Sequence, residues 1–230
     1  MSKNPLSNRA VFILILGMAL LAAILPVLWP QLDIAVAAFF YQSPPPFDLA
    51  NSAWVTLVNE YTPDLFRALG LLLTAGWICI SLLRGSRRIG IALAFSGLSL
   101  LLGPGLVTWA VKEHHLRARP MDVVEFGGQR QFTRALEPAR QCTDNCAFTS
   151  GHVACGFFLA SLMLLDPRRR WYWVSSGVAA GLLIGLARMS VGAHWLSDVL
   201  WAFPITLLSS ALVWLVLGFF YTHGPARPLR

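Results

Sequence analysis

Charge is scarce in this 230-residue chain: Asp, Glu, Lys and Arg together make up 13%, against 56% hydrophobic residues. So little charge, with the apolar residues gathered in long blocks instead of at amphipathic spacing, excludes an ordinary soluble domain. Metal-site spacing is also missing. No H-x-x-x-H or C-x-x-C pair occurs, and His152 with Cys155 is poor evidence for a divalent ion, so neither a metal nor another cofactor is expected. Cysteine is limited to 4 residues, of which Cys79 and Cys155 fall in apolar blocks and read as packing residues. Cys142 and Cys146 share a polar stretch, where they are either two free thiols or, in an oxidising compartment, a disulfide closing the turn Thr143-Asp144-Asn145. With no internal repeat, low-complexity tail or separable soluble part, 1–230 reads as one domain.

The apolar blocks run from Val11 to Trp29, Leu65 to Leu83, Ile89 to Val111, Ser150 to Leu165, Trp171 to Ala187 and Val199 to Tyr221. About 20 such residues cross the hydrocarbon of a bilayer. Four blocks meet that length, and the two shorter ones carry polar motifs at their ends. The expected fold is therefore all-α, a polytopic membrane protein with six transmembrane helices. The first block follows Lys3 and Arg9 as a signal peptide would, but its length and its ending in Pro26, Trp29 and Pro30 favour a retained anchor.

A net charge of +7 raises the question of nucleic acid, which the positions of the basic residues answer in the negative. Lys3, Arg9, Arg84, Arg87, Arg88, Arg168, Arg169, Arg170, Arg227 and Arg230 all fall on one expected side, with Asp166 the sole acid there. That side is cytoplasmic by the positive-inside rule, so both termini are expected inside and residues 31–64, 112–149 and 188–198 outside.

Within the first outside segment, prolines interrupt any span, giving an interfacial helix and then an extended loop around Pro44-Pro45-Pro46 that either covers a site or simply connects. Residues 112–149 carry Lys112, Arg117, Arg119, Arg130, Arg134 and Arg140, partly offset by Asp122, Glu125 and Glu137. So many cations on an outside loop point to a functional demand; Arg130, Arg134 and Arg140 either meet an anionic headgroup or pair with neighbouring acids. Gly177, Gly181 and Gly185 recur every fourth residue and allow close helix packing.

Three polar clusters stand at expected outside ends of spans: Lys112-Glu-His-His-Leu-Arg-Ala-Arg119-Pro120, then Phe148-Thr149-Ser150-Gly151-His152, then Arg188-Met-Ser-Val-Gly-Ala-His194-Trp-Leu-Ser-Asp198. Lys112, Arg119 and Arg188 would supply cations for a multiply anionic phosphate, and arginine adds paired planar donors. Ser150 and Gly151 open a helix, whose free N–H groups favour an anion. His194 and Asp198, four apart, would share a helix face, so that the carboxylate fixes the imidazole tautomer. His114, His115 and His223 lack such a context and read as structural hydrogen-bonders.

Together these clusters resemble the signature of the type-2 phosphatidic acid phosphatase family of integral membrane lipid phosphatases, K-x6-R-P, P-S-G-H and S-R-x5-H-x3-D. Order and spacing match, while Thr149 stands for the proline and Ala187 for the serine. The resemblance implies a metal-independent hydrolase of a lipid phosphate monoester or pyrophosphate. In it His194 is the nucleophile that forms a phosphohistidine, Asp198 its partner, and His152 the proton donor to the leaving oxygen and later the activator of water. Lys112, Arg119, Ser150, Gly151 and Arg188 would bind the phosphate. It also implies a multi-pass protein of the bacterial inner membrane, its site facing the periplasm, with a phosphorylated lipid and bilayer lipids as partners and no nucleic acid. Undecaprenyl pyrophosphate, phosphatidylglycerol phosphate, phosphatidic acid and lipid A are candidate substrates. The arginine-rich loop leans toward a large headgroup, such as that taken by the lipid A 1-phosphatase branch. Two rivals stand: a lipid phosphotransferase using the same site, and, from another class, a transporter whose charges line a solute path.

Overall fold

The computed structural model describes residues 7–41, 47 and 52–223, so the Pro44-Pro45-Pro46 run lies outside the described residues. Helix α1 (Asn8–Leu28) begins where the Ser7 hydroxyl accepts the Ala10 N–H at 3.2 Å. Trp29 and Pro30 turn the chain into α2 (Gln31–Tyr41), the expected interfacial helix. Helix α3 (Ala53–Leu82) starts well before the expected Leu65, with Pro63 inside it instead of in an extended loop. At 30 residues it is roughly 45 Å long, longer than the hydrocarbon is thick. Its N-terminal turns thus have length to spare beyond a span.

Helix α4 (Arg87–Leu100) continues through a widened π-helical stretch, Leu101–Val107, that contains Pro104, into α5 (Thr108–His115). After α5 the chain is irregular, with short turns at Pro120–Asp122 and Val124–Phe126 and a disulfide joining Cys142 to Cys146. Helices α6 (Gly151–Ser161), α7 (Arg170–Ser190) and α8 (Leu196–His223) complete the described chain.

Among the described residues, 5 helices are long and apolar enough to cross a membrane: Asn8–Leu28, Ala53–Leu82, the composite Arg87–Asp122, Pro167–Ser190 and Leu196–Phe220. The remaining expected block forms the shorter apolar helix Gly151–Leu164. It is a core helix: Val153, Ala154, Cys155, Phe157, Phe158 and Ala160 are all buried, mainly against α7 and α8. On the exterior, Leu14, Leu21, Leu72, Leu183 and Leu215 stand exposed, an apolar surface suited to lipid and foreign to a water-soluble monomer. The protein is a multi-pass, all-α membrane protein.

Apolar burial drives helices together weakly when the surroundings are lipid, so close backbone approach has to do more. That is the role of the glycines in α7. A Cβ at Gly177, Gly181 or Gly185 would overlap Ala160, Phe157 or Val199, and one at Gly156 of α6 would strike the Gly181 backbone. A second cluster, Ala37, Phe47, Ala118, Val123, Phe126, Ala147 and Trp195, seats α2 and the irregular stretch over the start of α8.

Candidate active site

Lys112 lies in the last turns of α5, which ends as Leu116 turns left-handed (φ 47°) and frees Arg117 and Arg119 from the helix. The Lys112 ammonium donates to Asn145 Oδ1 at 3.2 Å, and Arg119 donates from Nε and Nη2 to the Asn145 carbonyl at 3.0 and 2.6 Å. Asn145 sits in the turn closed by Cys142 and Cys146. One residue of that turn therefore gathers two of the three expected cations.

Ser150 caps α6, its hydroxyl accepting from Val153 N–H at 3.5 Å and its carbonyl from Ala154 N–H at 3.0 Å. The amides of Gly151 and His152 have no acceptor among the described residues and remain free for an anion. Arg188, near the end of α7, donates from Nη1 to Asn59 Oδ1 at 2.5 Å, while its buried Nε has no partner among the described residues. An orphaned guanidinium N–H is costly unless a bound anion takes it up. His152 Nε2 lies 3.1 Å from the Asn59 carbonyl. A helical carbonyl normally accepts from the residue four ahead, but that residue here is Pro63, which has no N–H. The proline inside α3 leaves the Asn59 carbonyl available to His152, while the Asn59 side chain holds Arg188.

The expected helical pairing of His194 with Asp198 needs correction. His194 lies before α8, in chain that leaves α7 through Gly192 (φ 65°), and its Nδ1 is 2.8 Å from the Ala147 carbonyl but 3.6 Å from Asp198 Oδ2. The carbonyl is the hydrogen-bond partner. Because a carbonyl only accepts, Nδ1 carries the proton and Nε2 keeps its lone pair, so the tautomer is fixed as expected by a different group. Asp198 instead caps α8, Oδ2 accepting the Trp195 N–H at 2.8 Å, and binds Arg117 through Oδ1 at 2.6 Å. Burial first, then the charges of Lys112, Arg188 and Arg119, push the His194 imidazole well below the ordinary histidine range, which keeps it neutral.

Arg117, expected among the loop cations, is instead 1% exposed. It donates to Asp33 Oδ2 at 2.8 Å, Ser197 Oγ at 2.7 Å, Asp198 Oδ1 at 2.6 Å and the Thr133 carbonyl at 2.9 Å. Asp33, Asn59, Arg117 and Asn145 all lie outside the expected site residues. Pro63 was the one signal for Asn59, and a lone acid in an apolar helix the one for Asp33. Of the two departures from the family pattern, the Thr149 hydroxyl is buried without a partner among the described residues, and Ala187 is fully buried. Arg130, Arg134 and Arg140 are exposed and form no ion pair among the described residues. Nor do the described residues hold a group of three or more His, Cys, Asp or Glu disposed around a metal ion.

Three cations, two free helix-end amides and two imidazoles come from α5, the chain just after it, α6, α7 and the approach to α8, a constellation fit to hold and transfer a phosphoryl group. Residues 91–221 match the PAP2 superfamily, more than half of the chain, and the chain belongs to that family: it is a membrane-embedded phosphatase. Among its relatives is a protein named lipid A 4'-phosphatase from Francisella tularensis subsp. novicida (strain U112), 31% identical over 221 residues that cover 92% of this chain and 97% of that one. Two further proteins of that name match over shorter stretches. The one from Rhizobium leguminosarum is 40% identical over 118 residues (50% of this chain, 51% of its own), and the one from Rhizobium etli 42% identical over 103 (44% and 40%). The name on all three specifies the 4'-phosphate, not the 1-phosphatase or undecaprenyl pyrophosphate branches to which the sequence leans. No solved structure gives a significant match.

Proposed function

We propose that this protein removes the 4'-phosphate of lipid A at the periplasmic face of the inner membrane, through a phosphohistidine on His194. The observation that carries the mechanism is the Ala147 carbonyl on His194 Nδ1, which leaves Nε2 as a neutral nucleophile among three cations. The choice of substrate rests on a relative aligned over nearly its whole length. Arg130, Arg134 and Arg140, exposed and without an ion pair among the described residues, suit a large anionic sugar headgroup. The periplasmic reading draws on the sidedness of the basic residues and on the disulfide beside Asn145, a bond suited to an oxidising compartment.

In the first step His194 Nε2 attacks phosphorus, the N–P bond forms and the P–O bond to the sugar breaks. Lys112, Arg119, Arg188 and the amides of Gly151 and His152 hold the equatorial oxygens throughout. Burial and then the charge of Arg188 push His152 down to about 4 in the free site; the bound phosphate's negative charge opposes that shift and favours the imidazolium, which exchanges the Asn59 carbonyl for the sugar oxygen and gives it the proton. Neutral His152 then takes a proton from water as water attacks phosphorus, releasing inorganic phosphate and restoring His194.

The test is purified protein with bisphosphorylated lipid A, its products mapped by mass spectrometry, with and without EDTA. Wild type is expected to yield lipid A lacking the 4'-phosphate plus free phosphate, unaffected by EDTA, and His194→Ala to lose at least about a thousandfold in rate, as loss of a nucleophile does. Retained activity in His194→Ala would defeat the mechanism, loss of the 1-phosphate the substrate, activity abolished by EDTA and restored by zinc or magnesium the metal-free reading, and, when a second lipid is added as acceptor, phosphate found only on that lipid the hydrolysis.

A further inference from the structure

The side chain of Arg117 is enclosed by three other parts of the chain, and its partners leave it little freedom. Asp33 of α2 accepts from Arg117 Nη2 and from the Ser197 hydroxyl through Oδ2, at 2.8 and 2.6 Å, and from the Ser197 amide through Oδ1 at 2.8 Å. Arg117 Nη1 reaches both Ser197 Oγ and Asp198 Oδ1, and Nε is held by the Thr133 carbonyl. The rings of Trp195 and Phe132 lie 5.3 and 5.6 Å from the guanidinium carbon. Asp33 and Asp198 are both fully buried. A buried carboxylate needs a counterion and a full set of donors, and Arg117 serves both.

Residue 117 governs His194 by two routes. Its side chain fixes Asp198, whose other oxygen caps Trp195, the residue next to His194. Its backbone carbonyl accepts the Ala147 N–H at 2.9 Å, and the Ala147 carbonyl in turn accepts from His194 Nδ1. Neither Asp33 nor Arg117 is a position of the three signature motifs, and Asp33 lies outside the residues, 91–221, that match the family.

We propose that Asp33 and Arg117 form a buried positioning pair that aims the His194 imidazole, tying the interfacial helix α2 to the phosphoryl-transfer step. This rests on His194 as the nucleophile. Asp33→Asn leaves one carboxamide oxygen where three donors converge, and its NH2 opposes one of them. The expected result is a fall in kcat of about 10- to 100-fold, the range for a group that orients a reacting side chain through hydrogen bonds. KM and the inhibition constant of inorganic phosphate stay near wild type, because Lys112, Arg119 and Arg188 are untouched. Ser197→Ala, which removes one hydroxyl from the same network, should lower kcat less and along the same axis, and it carries the test if Asp33→Asn does not fold.

Both variants are assayed with whichever phosphorylated lipid wild type hydrolyses fastest in a panel, so failure on the 4'-phosphate removes the proposed substrate without touching the pair. The thermal midpoint in detergent is measured alongside. An unchanged kcat in both variants overturns the proposal. So does a fall in kcat matched by weaker phosphate inhibition and a lowered midpoint, since a merely structural role loosens cradle and nucleophile together. Wild-type phosphate inhibition that survives His194→Ala, with His194→Ala still active, separates failure of the nucleophile assignment from failure of the pair.

Discussion

At the scale of single residues, the hydrogen-bond partners of His194 set its chemistry. The Ala147 carbonyl decides which nitrogen of His194 is protonated, and burial with three cations decides that the ring stays neutral. The sign follows: a depressed imidazole pKa means protonation waits for a pH lower than the ordinary 6.5. In a pH titration of histidine-labelled protein followed by NMR, the signal lost in His194→Ala should therefore still be that of neutral imidazole at pH 6.5. A ring more than half protonated there would contradict the cationic surroundings described for it. The motif residues were legible in the sequence because their chemistry is local: fixed spacings along the chain keep Lys112 with Arg119 and Ser150 with His152. Asn59, Asn145 and Asp33 were not, because each serves a residue far away in sequence, and an isolated asparagine has no pattern. The burial of Arg117 was not legible either, for a related reason. Composition makes a loop arginine look solvated, and only the fold supplies the two acids that bury it.

At the scale of elements, the helices were legible wherever lipid dictates length and obscured wherever protein does. The first, third, fifth and sixth blocks became helices near their expected bounds. Helix α3 overran its block because Pro63 tolerates the first half of a long helix whose freed Asn59 carbonyl finds His152 instead. Helix α6 also keeps near its block, but Gly151–Leu164 is shorter than a regular span and packs mainly against α7 and α8. The glycine spacing in α7 was read correctly, and its energetic weight can be measured. A side chain at residue 181 would strike the Phe157 ring. Gly181→Val should thus lower stability by about 1–3 kcal/mol, the usual toll of overpacking, seen as a lower thermal midpoint in detergent. A midpoint equal to that of wild type would show that α6 and α7 can separate freely. Catalysis should suffer as well, since α6 carries His152 and α7 carries Arg188.

At the scale of the whole molecule, the proposed phosphate cradle draws on α5, α6, α7 and the irregular chain between α5 and α6. The disulfide between Cys142 and Cys146 closes the turn that presents Asn145 to both Lys112 and Arg119. Cys146→Ser is expected to raise KM about tenfold, equivalent to about 1.4 kcal/mol of binding, with a smaller effect on kcat. A thiol reductant should do the same to wild type and nothing further to the variant, whereas an unchanged KM in both would show that the turn holds its shape unaided. The widened stretch at Leu101–Val107 has a quieter consequence. Each residue of a regular helix advances the azimuth by about 100°, so the extra residue held in that bulge resets the rotational phase of the span halfway through its crossing. The ammonium of Lys112 points at its partners because of a misfit placed well upstream, and a version of this span with the misfit ironed out would thread the bilayer with the same sidedness while aiming its charge elsewhere.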